Sequence, residues 1–277
     1  MPEIPRSRSG KPAVGVATEV VAKAGALLLE RAHSIKQVDY KGRGNIVTDV
    51  DRQSEELIIG MLLDEFPGYG IHAEESGKQA SPSEYAWVID PLDGTKNYSM
   101  GLPVYNVTIA LARGSEVLVG ATFDPNRHEL FTAERGGGAF LNGARLRVSE
   151  QTSLRASLVG TDMGYRDDLG HYALQMWNAL WPGMQGIRIM GSSALSLAYL
   201  AAGRIDIYTH HFLYPWDIAA GVLLVQEAGG IVTSRNGTPI DFLRDPGIIA
   251  ANPAIHKDFL ALSEGMTWRS PPEPPTK

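Results

Sequence analysis

Apolar and polar positions alternate along the chain in ways that mark out helices and strands. Breakers are few between residues 13 and about 33, and Val16, Val20, Ala24, Leu27 and Leu28 form an apolar stripe, which predicts a helix. A second helix is predicted from roughly 51 to 66, with Leu57, Ile58, Met61 and Leu62 on its inner side. Between the two, residues 39–45 read as a polar, Gly-rich loop, and 71–76 read as a short segment leading into another loop. Strand pattern then covers 85–89, 105–113, 116–123 and 129–133, with turn chemistry at Gly114-Ser115 and Asp124-Pro125-Asn126. Residues 135–143 are Gly-rich. They could cradle a phosphate, but they lack the lysine and spacing of a Walker sequence, so a tight hairpin is the better reading.

The second half alternates. Strands are predicted at 158–161, 187–190, 205–208, 231–233 and 248–250. Helices are predicted at 168–181, from Gly191-Ser192-Ser193 to 202, and from Pro215-Trp216-Asp217 to 228, the last capped by Gly229-Gly230. The pattern suggests an N-terminal α+β lobe over 13–148, a C-terminal α/β lobe over 149–266, and loose tails at 1–12 and 267–277. No internal repeat is visible.

Composition narrows the function classes. A chain of 277 residues has room for one large domain or two lobes. The formal net charge of -6 gives no support to nucleic acid as a partner, whereas a small phosphorylated substrate stays open because a metal can supply local positive charge. The absence of cysteine excludes disulfides, thiolate nucleophiles and Cys-based metal sites, and is compatible with a cytoplasmic protein. Neither a signal peptide nor a membrane-spanning stretch is expected.

Against this background the run from Trp87 to Tyr98 carries the most chemistry. An apolar strand leads into Asp90-Pro91-Leu92-Asp93-Gly94-Thr95, which holds two carboxylates three residues apart. Pro91 disfavours helix at Asp90, so the strand is expected to stop there, and Gly94 lets the chain turn and bare its amides. Acids plus exposed amides at a strand end suit a hard divalent cation beside a phosphate, although the same residues also make an ordinary turn. Asp51, Glu74 and Asp217 also stand at predicted element ends. Each has a plain reading: Asp51 as a helix N-cap, Asp217 as a first-turn acid, and Glu74 with Glu75 as solvated loop charges.

Taken together these positions resemble the inositol monophosphatase family, within the wider group of lithium-sensitive, magnesium-dependent sugar phosphatases. The resemblance covers roughly 13–251. It rests on Thr48-Asp49-Val50-Asp51, Glu74-Glu75-Ser76, the stretch from Asp90 to Tyr98, and Trp216-Asp217-Ile218-Ala219-Ala220-Gly221 running to Glu227-Ala228-Gly229-Gly230. It implies a layered α-β-α-β-α sandwich of the inositol monophosphatase/fructose-1,6-bisphosphatase type. It also implies two to three Mg²⁺ ions, with Mn²⁺ as a substitute, a homodimer, and hydrolysis of inositol monophosphate and related sugar phosphates by in-line attack of a metal-activated water. No covalent phospho-enzyme is required.

By the same resemblance Glu74, Asp90, the Leu92 carbonyl, Asp93 and Asp217 would hold the metals, with Asp90 shared. Asp51, Thr95 and Glu74 would be catalytic. Asp93, Gly94, Thr95, Gly191, Ser192, Ser193, His210 and Asp217 would contact substrate. His210 stands where animal inositol monophosphatases carry an acid that contacts the inositol ring. This substitution weakens the case for strict inositol selectivity and keeps fructose 1,6-bisphosphate, histidinol phosphate or a nicotinamide-dinucleotide phosphate in view as substrates. A non-catalytic scaffold is the reading that the intact acid set opposes. His210-His211 could instead be a metal pair, but adjacent residues on a strand point apart. Arg188 could meet phosphate or join a structural ion pair.

Overall fold

The computed structural model describes residues 4–34, 37–42, 45–164 and 166–271. In chain order residues 13–145 form α1 (Ala13–Arg31), β1 (Val38–Gly42), β2 (Asn45–Thr48), α2 (Asp49–Glu65), β3 (Gly70–Ala73), β4 (Gly77–Gln79), β5 (Tyr85–Asp93), α3 (Thr95–Ser99), β6 (Asn106–Arg113), β7 (Glu116–Asp124), β8 (Glu129–Glu134), β9 (Gly138–Leu141) and β10 (Ala144–Arg145). Residues 158–262 form β11 (Leu158–Thr161), α4 (Asp167–Leu180), β12 (Gly186–Arg188), α5 (Ser193–Ala201), β13 (Ile207–His210), α6 (Pro215–Glu227), β14 (Ile231–Ser234), β15 (Ile248–Ala251) and α7 (Pro253–Leu262).

Two sheets organise these elements. One has eight strands in the order β10-β9-β8-β7-β6-β5-β3-β4, antiparallel except where β3 runs parallel to β5. The other has five, in the order β12-β11-β13-β15-β14, with β11 parallel to both neighbours. Helices α1 and α2 cover one face of the large sheet, and their apolar stripes join Trp87, Ile89, Ile109 and Leu111 in one core. Helices α5 and α6 are packed between the sheets, and Leu197, Leu200, Leu223 and Leu224 are sealed there. On the far face of the small sheet Met176 and Trp177 of α4 pack with Phe259 of α7. The layering is therefore α-β-α-β-α, as expected. Residues on both faces of the middle strands are apolar because helices cover both faces.

Several local readings change. The predicted loop at 39–45 is largely hairpin: β1 and β2 pair antiparallel, with Arg43 and Gly44 outside the described residues. The strand does not stop at Asp90 but runs to Asp93. Asp90 faces Thr108 and Asp93 faces Asn106, so one extra residue is accommodated in a bulge at Pro91-Leu92. A bulge is where a strand tolerates a residue without an N–H, so Pro91 bends the strand without ending it. The Gly-rich segment is a hairpin whose Gly136 and Gly138 amides donate to the Glu227 carboxylate at 2.8 and 3.0 Å, so these amides already have an anion. Helix α7 was not anticipated. It follows β15 directly, and Asn252 caps it by accepting from the Ile255 amide at 2.9 Å.

The described parts of the two expected tails are packed. The Ser9 hydroxyl donates to Glu65 at 2.7 Å and the Arg8 amide to the Glu65 carbonyl at 2.7 Å, which ties residues 8 and 9 to the end of α2. Trp268 is 1% exposed against Phe259. Residues 1–3 and 272–277 lie outside the described residues.

Candidate active site

The bulge at the end of β5 lies between two acids that keep their places in the sheet, Asp90 and Asp93. Asp90 is 2% exposed, and one of its oxygens accepts the Leu92 amide at 3.0 Å. The Ser54 hydroxyl of α2 donates to the Pro91 carbonyl at 2.9 Å and so fixes the bulge from below. Gly94 follows with φ of 90°, and a Cβ there would meet the Val104 carbonyl oxygen at 2.8 Å. Only glycine fits both conditions, and the turn it makes starts α3 directly above the acids.

Asp51 is fully buried in the first turn of α2. Its Oδ2 accepts the Thr48 amide at 2.7 Å and the Thr48 hydroxyl at 2.5 Å, while Thr48 caps the helix in return by accepting from the Val50 amide. Asp51 is therefore not the N-cap expected from the sequence: Thr48 is, and Asp51, the third residue of the helix, closes a capping box with it through one oxygen. The other is 3.1 Å from the Thr95 hydroxyl, which is also 3.0 Å from the Leu92 carbonyl. A hydroxyl has one proton, so Thr95 serves one of these acceptors at a time and keeps lone pairs for a further donor. Burial raises the Asp51 carboxyl above its usual range, against the Thr48 and Thr95 hydrogen bonds that lower it.

Asp93 is held by β6 of its own sheet and by the start of α5. Its Oδ2 accepts from the Asn106 amide group at 2.8 Å, from the Ser192 hydroxyl and from the Ala194 amide at 3.0 Å. Ser192 is at the same time the N-cap of α5. The Ser193 amide also acts on the Asp93 carboxylate. Asn97 ties the lobes a second time, through its amide group to the carbonyls of Val104 and Met190, each at 2.8 Å.

Glu74 follows β3 directly, and its amide bonds the Ile89 carbonyl at 3.2 Å. The loop it opens is clamped by Glu55 of α2, whose two carboxylate oxygens accept the amides of Glu75 and Ser76 at 2.8 and 2.7 Å. Asp217 sits at the third position of α6 and accepts the Tyr214 amide at 2.7 Å, the first-turn role the sequence suggested.

The acids act on one another. Burial pushes Asp90 well above the carboxylate range, and Glu74, Asp93 and Asp217 push it further in that order. Burial raises Asp93 as well, opposed first by the Ser192 hydrogen bond. Among the described residues no three acids or histidines close into a preformed ion cage. The donors are nonetheless all oxygen, they meet around a buried carboxylate, and the groups acting on Asp90 are three acids and one amide. This is the environment that a hard divalent cation relieves.

Beside the acids lies a cavity of about 200 Å³, bordered at one end by Asp93, Gly94, Thr95 and Asp217. Gly191, Ser193 and His210 also line it, while Ser192 is turned into the Asp93 network. Two residues absent from the sequence reading matter here. Asp162 also lines it and is 5% exposed; burial pushes its carboxyl up to about 6, helped by the charge of Asp93, against the hydrogen bonds from the Gly191 amide, the Tyr208 hydroxyl and the Met190 amide. Glu55 is the other. Neither had a local signal beyond being an acid.

The histidine pair departs from the alternation rule. His210 ends β13 and His211 falls in the bend after it, so the rings do not point apart; they stack at 4.7 Å and 17°. The His210 Nδ1 accepts the Phe212 amide at 3.0 Å, which occupies one of the two nitrogens a metal pair would use. His211 is fully buried, neither ring nitrogen is in a hydrogen bond among the described residues, and the nearby Met163 carbonyl favours its protonated form. Arg188 is exposed and away from the cavity. It donates to the Ile187 carbonyl at 3.2 Å and makes no ion pair among the described residues, so the structural ion pair considered for it does not form there.

A layered sandwich with an acidic strand end between its lobes is the architecture of the metal-dependent sugar phosphatases. The inositol monophosphatase family model matches residues 11–266, and the chain belongs to that family; it is a phosphoric monoester hydrolase. It is 38% identical over 252 residues to an inositol-1-monophosphatase of Mesorhizobium japonicum, covering 89% of this chain and 94% of that one. It is 41% identical over 260 residues to the Nus factor SuhB of Pseudomonas aeruginosa, covering 90% and 95%. The crystal structure of extragenic suppressor protein suhB from Bartonella henselae superposes with a TM-score of 0.86 at 38% identity, covering 91% of this chain and 98% of that chain.

Two outcomes are expected from this geometry. Gly94→Ala forces a left-handed residue into a carbonyl contact and lowers stability by about 2 kcal/mol or more, read from the urea midpoint. Acid sensitivity is expected from His211, which burial, and then Arg235, push down to about 4 from the ordinary 6.5. The unfolded chain takes up this proton near pH 6.5 and the folded chain only near 4, so the contribution is complete above 6.5 and is lost as pH falls through that window, up to about 3 kcal/mol. The stability of His211→Phe should depend less on pH between 7 and 4.5 than that of the parent protein. His210 and Asp162 titrate in both proteins, so an unchanged slope would remove His211 as the source.

Proposed function

We propose that the protein is a Mg²⁺-dependent phosphomonoesterase acting on inositol monophosphate and related sugar phosphates. The observation that carries this reading is the buried Asp90 in the field of Glu74, Asp93 and Asp217. Burying like charges together costs several kcal/mol, and a divalent cation among these carboxylates offsets their mutual repulsion. Glu74, Asp90, the Leu92 carbonyl, Asp93 and Asp217 would hold two to three Mg²⁺ ions, or Mn²⁺ in their place. Bound there, the metal lowers the pKa of the attacking water and offsets charge on the phosphoryl oxygens and the leaving alkoxide.

The chain's own residues do the rest. Thr95 accepts a hydrogen bond from the attacking water and donates its own hydroxyl proton to Asp51, whose raised carboxyl makes it a better resting place for a proton. The Thr48 amide and hydroxyl fix Asp51 while it does so. The Gly94 and Thr95 amides at the start of α3 bind phosphate oxygens. Water attacks phosphorus in line, the P–O bond to the alcohol breaks, and the alkoxide leaves with a proton from solvent. Ser192 positions Asp93, and Gly191 and Ser193 border the alcohol.

A cavity of about 200 Å³ favours a single sugar-sized group and disfavours enclosing a whole dinucleotide, since sites for drug-sized ligands start at about 300 Å³. The same family reading extends to lithium inhibition, a homodimer and a cytoplasmic setting.

Purified protein with Mg²⁺ should release phosphate from inositol 1-phosphate, and a chelator should stop it. No release from a panel that adds fructose 1,6-bisphosphate, histidinol phosphate and a dinucleotide phosphate would sink the proposal. Asp93→Asn should abolish turnover with an unchanged circular dichroism spectrum. Glu55→Gln replaces one acceptor facing a loop amide with a donor, so the Glu74 loop loosens. The half-saturating Mg²⁺ concentration should rise about 10- to 100-fold while turnover at saturating Mg²⁺ stays close to the parent value. An equal loss at saturating Mg²⁺ would assign Glu55 a different part.

A further inference from the structure

Asn106 opens β6 and is the cross-strand partner of Asp93, on the far side of the bulge in β5. It is fully buried. Both protons of its side-chain amide are engaged: Nδ2 lies 2.8 Å from the Asp93 Oδ2 and 3.0 Å from the Ser192 Oγ. The Ser192 hydroxyl donates to the same Asp93 oxygen and accepts the Leu195 amide at 3.3 Å. These contacts fix every proton. An ionised carboxylate only accepts, so Asn106 must turn its nitrogen toward Asp93, and the single Ser192 proton goes to Asp93 while its oxygen receives from Asn106. Side chains from β5, β6 and the cap of α5 thus close into a triangle.

That orientation destabilises another atom. With Nδ2 toward Asp93, the Asn106 Oδ1 points away, and it is buried with no hydrogen-bond partner among the described residues. A buried acceptor without a donor weakens the folded state, and an apolar side chain of similar shape would remove the problem. The compensating gain is at Asp93. Of the other groups that donate to Asp93, the Ser192 hydroxyl and the Ser193 and Ala194 amides all belong to the start of α5. Asn106 belongs to the sheet that carries Asp93 itself, so its hold does not depend on how α5 docks. Asp93 needs such a hold because it acts by charge on both Asp90 and Asp162, and a loosely held carboxylate would swing away from them.

We propose that Asn106 is a positioning residue for Asp93: it fixes the carboxylate across the β5–β6 bulge so that Mg²⁺ meets an acid already oriented, and it does so against the stability of the metal-free protein. Asn106 acts only through Asp93 and Ser192 and is not itself a ligand. A residue that served the fold alone would leave no acceptor orphaned at this place; one that serves a neighbouring carboxylate has to. This role rests on the metal-dependent phosphomonoesterase reading, since it concerns a carboxylate that holds the ion.

The test separates metal affinity from stability. Mg²⁺ binding is measured by calorimetry on the substrate-free protein, and urea unfolding is followed without Mg²⁺, for the parent, Asn106→Leu, Asn106→Ala and a control, Thr122→Val. Leu is close to Asn in shape and carries neither the donor nor the orphaned acceptor. Thr122 is fully buried on β7 and shares a hydrogen bond of 2.8 Å with the Thr108 hydroxyl, so its variant breaks a buried polar contact without touching Asp93. Both Asn106 variants should raise the Mg²⁺ dissociation constant about 10- to 100-fold, the usual effect of losing a group that orients a metal ligand. Asn106→Leu should be no less stable to urea than the parent, and kcat at saturating Mg²⁺ should stay within about threefold of the parent value. Thr122→Val should lower the urea midpoint and leave Mg²⁺ affinity as it was. Parent-like Mg²⁺ affinity in the Asn106 variants would overturn the proposal. So would an Asn106→Leu protein that loses stability without Mg²⁺, or a failure of both variants to fold, because Asn106 would then be a brace of the fold. A parent that binds no Mg²⁺ and releases no phosphate from inositol 1-phosphate would bring down the phosphomonoesterase reading as well. An active, Mg²⁺-binding parent whose Asn106 variants bind the ion equally well would bring down the positioning role alone.

Discussion

The structure depends on keeping four acids together where they repel one another. Asp90 is buried, and Glu74, Asp93 and Asp217 each push its proton affinity up. In water, charges about 4 Å apart repel by about 1 kcal/mol, and nearer a protein interior the figure is several times larger. Much of the local architecture reads as the means of holding that cost in place. Asp93 is fixed by three donors, from β6, the α5 cap and the α5 backbone. The loop after Glu74 is pinned by both oxygens of Glu55. Asp217 is tied to its own helix turn. These contacts prevent the acids from relaxing apart, which is the condition for a cation to find them already placed.

The two lobes share this work unequally. The large sheet and α2 carry Asp51, Glu74, Asp90 and Asp93, so the centre of charge belongs to the first lobe. The second lobe contributes Asp217, the Ser192 cap and the whole far wall of the cavity. Asn97 and Asn106 cross between them through backbone carbonyls and the Asp93–Ser192 pair.

That division also explains what could be read in the sequence. The acids at 90 and 93 were legible because strand end, proline, glycine and threonine are local signals, and Asp217 was legible from Pro215-Trp216 at a helix start. Long elements with a clear period were read close to their true limits: β11 was placed at the observed residues, and α6 one residue past its end. Asp162 was not legible because its meaning comes from Tyr208, 46 residues away, and from a cavity that exists only after β11 and β13 pair. Glu55 was hidden for a similar reason, since its partners are loop amides 20 and 21 residues away. The extension of β5 past Pro91 failed as a local inference because the bulge is a property of the pair with β6, and no single strand displays it.

The same distinction bears on substrate choice. Asp162 is raised chiefly by burial and held by the Tyr208 hydroxyl and the Gly191 and Met190 amides, with only Asp93 acting on it by charge; Asp90 stands in the field of three carboxylates. The second environment calls for a cation far more than the first, although both residues are buried aspartates a short way past strand pattern. Position in the sequence does not separate them. The number and charge of the neighbours does, and it is through those neighbours that one fold can keep its phosphoryl chemistry while the alcohol it releases is chosen elsewhere.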